Sequence, residues 1–187
     1  MSKIEANTID SISGTSTLTL GSSNASTIAL GSGDVQSNFL YPAFEAYLAS
    51  DQSISAETYT KVTIDTEVLD TNSMYDNSTN YRFTPTVAGK YFVYGSVIGE
   101  SSSNTDLQMV KSAIYKNGSI YKEQVLQLTA SNGRRLAPTI SANIDFNGSS
   151  DYVELFGYIK PSSGSATIEG NGTWNKGTFF GAYRIGT

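Results

Sequence analysis

Tyr81-Arg82-Phe83-Thr84-Pro85-Thr86-Val87-Ala88-Gly89-Lys90-Tyr91-Phe92-Val93-Tyr94 is a short aromatic run, a Pro/Gly corner and a second, longer aromatic run. Pro85 has no backbone N–H to give to a ladder, and Gly89 tolerates backbone angles closed to other residues. Together they bracket a place where a strand leaves one sheet and enters the next. In the run that follows, side chains alternate between two faces. Tyr91, Val93 and Gly95 share one face, and Phe92, Tyr94 and Ser96 share the other. Large side chains on both faces mean that neither face is simply solvated.

Outward from this corner the pattern is β throughout. Strands are predicted over 41–49, 59–69, 81–84, 90–98, 107–116, 119–129, 138–146, 151–160 and 178–185, all rich in Val, Ile, Thr, Tyr and Phe. Asn-Gly, whose residues both accept positive φ, occurs at Asn117-Gly118, Asn132-Gly133, Asn147-Gly148 and Asn171-Gly172, each read as a tight turn. No segment sustains a 3.6-residue apolar period. Nine strands in one stretch of this length predict an all-β sandwich or jelly roll.

Three stretches, in this order, resemble the jelly roll of tumour-necrosis-factor-like proteins and complement globular heads. The 81–94 stretch is similar to the family pattern F-x-x-P-x-x-G-x-Y-x-F. Ala113-Ile114-Tyr115-Lys116-Asn117-Gly118 resembles its Asn-Gly hairpin. Asp151-Tyr152-Val153-Glu154-Leu155 and the terminal Thr178-Phe179-Phe180-Gly181-Ala182-Tyr183 resemble G-D-x-V-x-L and T-x-F-x-G. The likeness covers residues 41–187 and implies a homotrimer, with one face of the aromatic strand in the sandwich core and the other around a three-fold axis.

Residues 1–40 are different material. They hold one aromatic residue, Phe39, and a period-ten repeat, Ser16-Thr17-Leu18-Thr19-Leu20-Gly21 against Ser26-Thr27-Ile28-Ala29-Leu30-Gly31. Each unit reads as a short strand with one apolar face, closed by a Gly turn. One such strand cannot bury its face alone. The expectation is a β-rich or extended stalk or anchor assembled from sister chains, with a disordered Ser/Thr/Gly-rich linker as the alternative. Such a segment before such a head resembles the short fibre and decoration proteins of bacteriophage particles.

Composition removes most other classes. The 187 residues include no Cys and no His, which excludes disulfides, thiolate catalysis, the usual triads and most zinc sites. Twelve basic against 17 acidic residues leave a net charge of −5, so nucleic acid is not an expected partner. No apolar run approaches the roughly 20 residues of a membrane helix. Met1-Ser2-Lys3-Ile4-Glu5-Ala6-Asn7 lacks a signal-peptide core, which predicts synthesis in a cytosol without export by that route, and the phage resemblance implies that the cytosol is bacterial and the final residence a virion.

Candidate sites are few. Residues 143–154, from Asn143 to Glu154, fit the ligand spacing of a calcium loop but alternate as strands do. A hairpin turning at Asn147-Gly148 accounts for the same letters, with a surface Ca2+ site near the turn as the alternative. Asp65 and Glu67, two apart on one strand face, and Asp145 and Asp151, across a hairpin, are carboxylate pairs of the kind glycoside hydrolysis uses, but acidic residues spaced two apart on a strand read better as its solvated face. The sequons at Asn24, Asn77, Asn117, Asn147 and Asn171 read as turn chemistry. Trp174 and Tyr75 are the aromatic candidates for stacking on a host surface glycan. No catalytic residue, metal or cofactor is expected. The expected function is a non-enzymatic homotrimeric virion protein, capsid decoration (cement or head fibre) ahead of short tail fibre, bound to other virion proteins through residues 1–40. A lectin-like receptor-binding head is the alternative.

Overall fold

The computed structural model describes residues 42–129 and 133–186, without the side chains of Thr173 and Trp174. The expected stalk or anchor in residues 1–40 lies outside the described residues. Fifteen strands and one helical turn follow in order. They are β1 (Ala43–Tyr47), β2 (Gln52–Ile54), β3 (Thr60–Lys61), β4 (Thr66–Asp70), β5 (Tyr75–Asp76), β6 (Arg82–Phe83), β7 (Gly89–Ser96) and β8 (Gly99–Ser101). Then come β9 (Leu107–Lys116), β10 (Ser119–Gln127), β11 (Arg135–Leu136), β12 (Thr139–Phe146), β13 (Val153–Pro161), β14 (Ala166–Ile168), α1 (Asn171–Trp174) and β15 (Phe179–Gly186).

Two sheets face each other. One runs β12-β7-β15-β1-β4 and the other β10-β9-β13-β6-β5, with β3 also paired to β13. A smaller sheet, β11-β8-β14-β2, packs on the far half of β9 and β13. There a Cβ on Gly99 would meet Val110 and one on Gly157 would meet Ile168, so both positions are held to glycine by close approach. Phe44, Phe83, Tyr91, Val93, Ile114, Leu155 and Phe180 fill the interior, each no more than 1% exposed. Phe44 stacks on Tyr75 and on Phe83 at 4.5 Å, and Tyr91 meets Phe146 edge-on at 5.1 Å. This is the offset and edge-to-face geometry that ring quadrupoles favour.

The long strands follow the expectation: β9 covers residues 107–116 as read, and Asn117 (φ 51) with Gly118 (φ 79) turns β9 into β10. Besides the added short strands β2, β5, β8, β11 and β14, three features differ. The predicted strand over 59–69 is broken into β3 and β4. Between them Asp65 is exposed and accepts the Ala49 N–H at 2.9 Å and the Thr66 hydroxyl. Asn147-Gly148 does not close a hairpin, because β12 pairs with β7 and β13 pairs with β9 in the opposite sheet. The turn is a crossover between sheets, in which Asn147 Oδ1 accepts the N–H groups of Ser149, Ser150 and Asp151. Asn171-Gly172 lies in the helical turn α1, where Asn171 Oδ1 accepts the Lys176 N–H at 2.8 Å. Asn132 of the remaining Asn-Gly pair lies outside the described residues.

Candidate functional site

The strand after the Pro/Gly corner sorts its side chains as its alternation requires. Tyr91 and Val93 are fully buried in the sandwich, while Phe92 and Tyr94 stand half-buried on the opposite face of the sheet. Register extends this outward face across all five strands. Ser141 on β12, Tyr94 on β7, Gly181 on β15, Glu45 on β1 and Leu69 on β4 form one row. The adjoining rows place Phe92 beside Tyr183, and Phe179 between Ser96 and Tyr47. The rings touch: Phe92 lies 5.8 Å from Tyr94 and 5.5 Å from Tyr183, and Tyr94 lies 6.1 Å from Phe179.

Gly181 is the reason this face is flat. The Tyr94 ring lies directly over it, and a Cβ at 181 would fall 2.5 Å from Tyr94 Cζ and 2.6 Å from its hydroxyl oxygen. Lying across β15, the ring carries its hydroxyl to β1, where it donates to Glu45 Oε2 at 2.7 Å. Burial and the neighbouring Glu45 carboxylate hold the Tyr94 phenol well above its ordinary value. At one end of the face a depression of about 230 Å3 is lined by Glu45, Tyr47, Val68, Lys176 and Phe179. Lys176 sits 5.2 Å above the Tyr47 ring, and Val68 and Leu69 on the edge strand are exposed.

A second surface of different shape lies along the edges of the two sheets. β10 ends one sheet and β12 the other, and β10 reaches across with Tyr121 donating to the Asn143 carbonyl and Lys122 to the Ser141 carbonyl. A bulge after Ile120 and the charge of Lys122 discourage strand-to-strand addition there. Even so, Ile120, Tyr121 and Leu126 along this strand are 40–50% exposed. The protein thus carries an aromatic sheet face and, elsewhere, an edge with exposed apolar side chains.

The other candidates read from the sequence do not assemble into sites. Tyr75 is not a surface aromatic. It is 5% exposed, stacked on Phe44, and its hydroxyl donates to the Ile64 carbonyl, so the glycan role is withdrawn for it. The 71–77 loop looked polar because its polar groups serve the loop itself. Asp76 accepts from the N–H groups of Ser78, Thr79 and Asn80 and from the Asn80 amide. The Trp174 side chain lies outside the described residues. Asp65 and Glu67 do not share a strand face, since Asp65 precedes β4. Asp145 and Asp151 do not face each other across a hairpin: Asp145 pairs with Lys90 and Asp151 with Lys116. Asn143 and Asp145 belong to one sheet and Glu154 to the other, where Glu154 binds Lys61 at 2.5 Å, so the calcium-loop spacing gathers no ligand set. Among the described residues no group of three His, Cys, Asp or Glu side chains could hold a metal ion.

A cluster absent from the sequence reading covers the outer face of β9 and β13. Lys111 sits between the Tyr59 and Tyr158 rings, bonded to the Tyr59 hydroxyl, and Glu123 joins both. Tyr115 stacks on Phe156 at 3.8 Å beside them. Its charges and rings are mutually satisfied, so it reads as a self-contained cover for the sheet.

Comparison with known proteins places the fold. No family model and no curated protein sequence matches the chain. Among solved structures it is similar to the Eiger TNF of S. frugiperda, at TM-score 0.56 and 9% identity over 78% of this chain and 93% of that one. It is similar also to murine APRIL (TM-score 0.55, 12% identity, 76% and 98% covered) and to the globular domain of zebrafish complement 1qA (TM-score 0.50, 16% identity, 77% and 97% covered). The described fold is the TNF-like jelly roll.

Proposed function

We propose that this chain is a non-enzymatic structural protein of a bacteriophage virion. In this reading it is a homotrimeric capsid decoration protein whose head is residues 41–187 and whose N-terminal segment, residues 1–40, attaches to other virion proteins. The observation that carries self-association is the pair of unlike surfaces. An aromatic face and an apolar edge suit head-to-tail contact between copies, and head-to-tail contacts close into rings when the rotation allows. The TNF-like fold supports three as the number that closes. Three chains of −5 each keep such a particle soluble before it meets the virion. The period-ten repeat at the N-terminus supports attachment. Immunogold labelling of particles from lysates of cells producing the chain tests the virion role. Label on capsid surfaces is expected, and label recovered only in the particle-free supernatant overturns it.

A further inference from the structure

The small sheet holds two carboxylates on one guanidinium. Glu100 of β8 stands opposite Arg135 of β11, and Glu169 follows directly on β14, its N–H bonded to the Ile98 carbonyl at 2.9 Å. Arg135 donates to Glu100 Oε1 at 2.7 Å and to Glu169 Oε1 at 2.6 Å. Arg134 donates to Glu100 as well, and to Asn104. Asp51, whose charge also reaches Arg135, accepts the Gly170 N–H at 2.8 Å. These are the charged groups facing the pair from β8, β11 and the chain before β2.

Arg135 donates through Nη2 to Oε1 of Glu100 and through Nε to Oε1 of Glu169, so one guanidinium holds the two carboxyls side by side. The Glu169 side chain is 5% exposed, and its Oε2 is buried without a donor among the described residues. Two ionised carboxylates offer only acceptors, so they repel and leave that oxygen uncompensated in the interior. A single proton shared between the two carboxyls removes the repulsion, because the acid then donates to its neighbour. Glu169 is the member that holds it. It is the more buried of the two and has one arginine, whereas Glu100 has two. Burial and Glu100 push the Glu169 carboxyl up. Against the cost of burial, the hydrogen bond from Glu169 and the bond from Arg134 hold Glu100 down.

We propose that Glu169 and Glu100 share one proton above the pH range in which an exposed carboxyl loses it, the pair and Arg135 forming a proton-loaded latch that fastens β11 to β8 and β14. Arg135 also lines an open apolar depression of about 200 Å3, together with Ile98, Leu136 and Ala137. Because Glu169 titrates above its ordinary value when latched, the latch is at full strength below that ordinary value. It weakens as pH rises toward the raised one.

Carboxyl carbon NMR of the full-length protein, labelled at Glu, tests this with E169Q and E100Q beside the wild type. A pH titration of the wild type should show one carboxyl that keeps its proton above the ordinary carboxyl range. It should be absent in E169Q, which removes the acid, and in E100Q, whose amide donates to Glu169 and lets it ionise. Amide exchange at Arg134–Ala137, corrected for its intrinsic pH dependence, should accelerate about tenfold per pH unit between the ordinary and raised values, then level off. It should stay flat over that range in E169Q. No carboxyl titrating above the ordinary range in the wild type, or one that survives in E169Q, overturns the proposal. One lost in E169Q but retained in E100Q overturns the sharing.

Discussion

Replacing Gly181 by Ala puts a methyl group where the Tyr94 ring lies. The new Cβ would sit 2.5 Å from Tyr94 Cζ, and ordinary carbon contact needs about 3.5 Å or more. The ring must lift by roughly 1 Å, and the 2.7 Å bond from its hydroxyl to Glu45 cannot survive that movement. A hydrogen bond to a charged acceptor contributes about 1.5–3 kcal/mol, and at a half-exposed site the lower figure applies. In the isolated chain the ring can swing toward solvent, so G181A should cost about 1 kcal/mol and lower Tm by roughly 2–4 °C. In a trimer that buries this face, the loss recurs at three contacts. It then amounts to about 4–5 kcal/mol, or on the order of a thousand-fold in the trimer association constant. Sedimentation equilibrium over a dilution series reads this directly, with Tyr94→Phe as the variant that removes the hydroxyl and keeps the ring. A G181A protein that dissociates at the same concentration as wild type would refute the placement of the contact on this face.

Other perturbations probe the head itself. Lys61 is the sole ion-pair partner described for Glu154, a residue only 5% exposed. Lys61→Met should therefore destabilise by about 3 kcal/mol, by leaving a buried charge unpaired, as read by urea unfolding. The Asp76 carboxyl is held well below the usual range, chiefly by the Thr79 N–H and also by those of Ser78 and Asn80. Its contribution is present above the ordinary carboxylate value and lost as pH falls through the lowered one. D76N should accordingly flatten the acid limb of a Tm–pH profile while lowering Tm at neutral pH. Gly148 has φ +71 and packs against the Ala88 backbone, so Gly148→Ala should cost more than about 1 kcal/mol by displacing the 85–89 corner, seen as a drop in Tm.

The two-faced strand could be read from the sequence because alternation is local. Tyr91 and Val93 against Phe92 and Tyr94 need only a period of two, and β9 needs only a run of apolar and β-branched residues between turn signals. Strands of three residues such as β2, β8 and β14 are too short for a period to stand out from the surrounding sequence, and ladder partners far away in sequence create them. Asn147-Gly148 announces a turn but not its partners, and a crossover between sheets uses the same residues as a hairpin. Tyr75 sits among Asn, Ser and Asp, so its neighbours in sequence conceal that its neighbours in space are Phe44 and Phe180. The row Tyr94–Gly181–Glu45 joins three segments that only the register brings together, and the Glu100–Arg135–Glu169 latch does the same in the small sheet.

Self-association of the head through its aromatic face underlies the whole account, and the solution mass of the full chain tests it most directly. Light scattering coupled to size exclusion should give three times 20.0 kDa at micromolar concentration, with the mass falling on dilution sooner for G181A. A mass of 20.0 kDa throughout would contradict the account, and so would a dimer, which the head-to-tail pairing of unlike surfaces does not allow as a closed form.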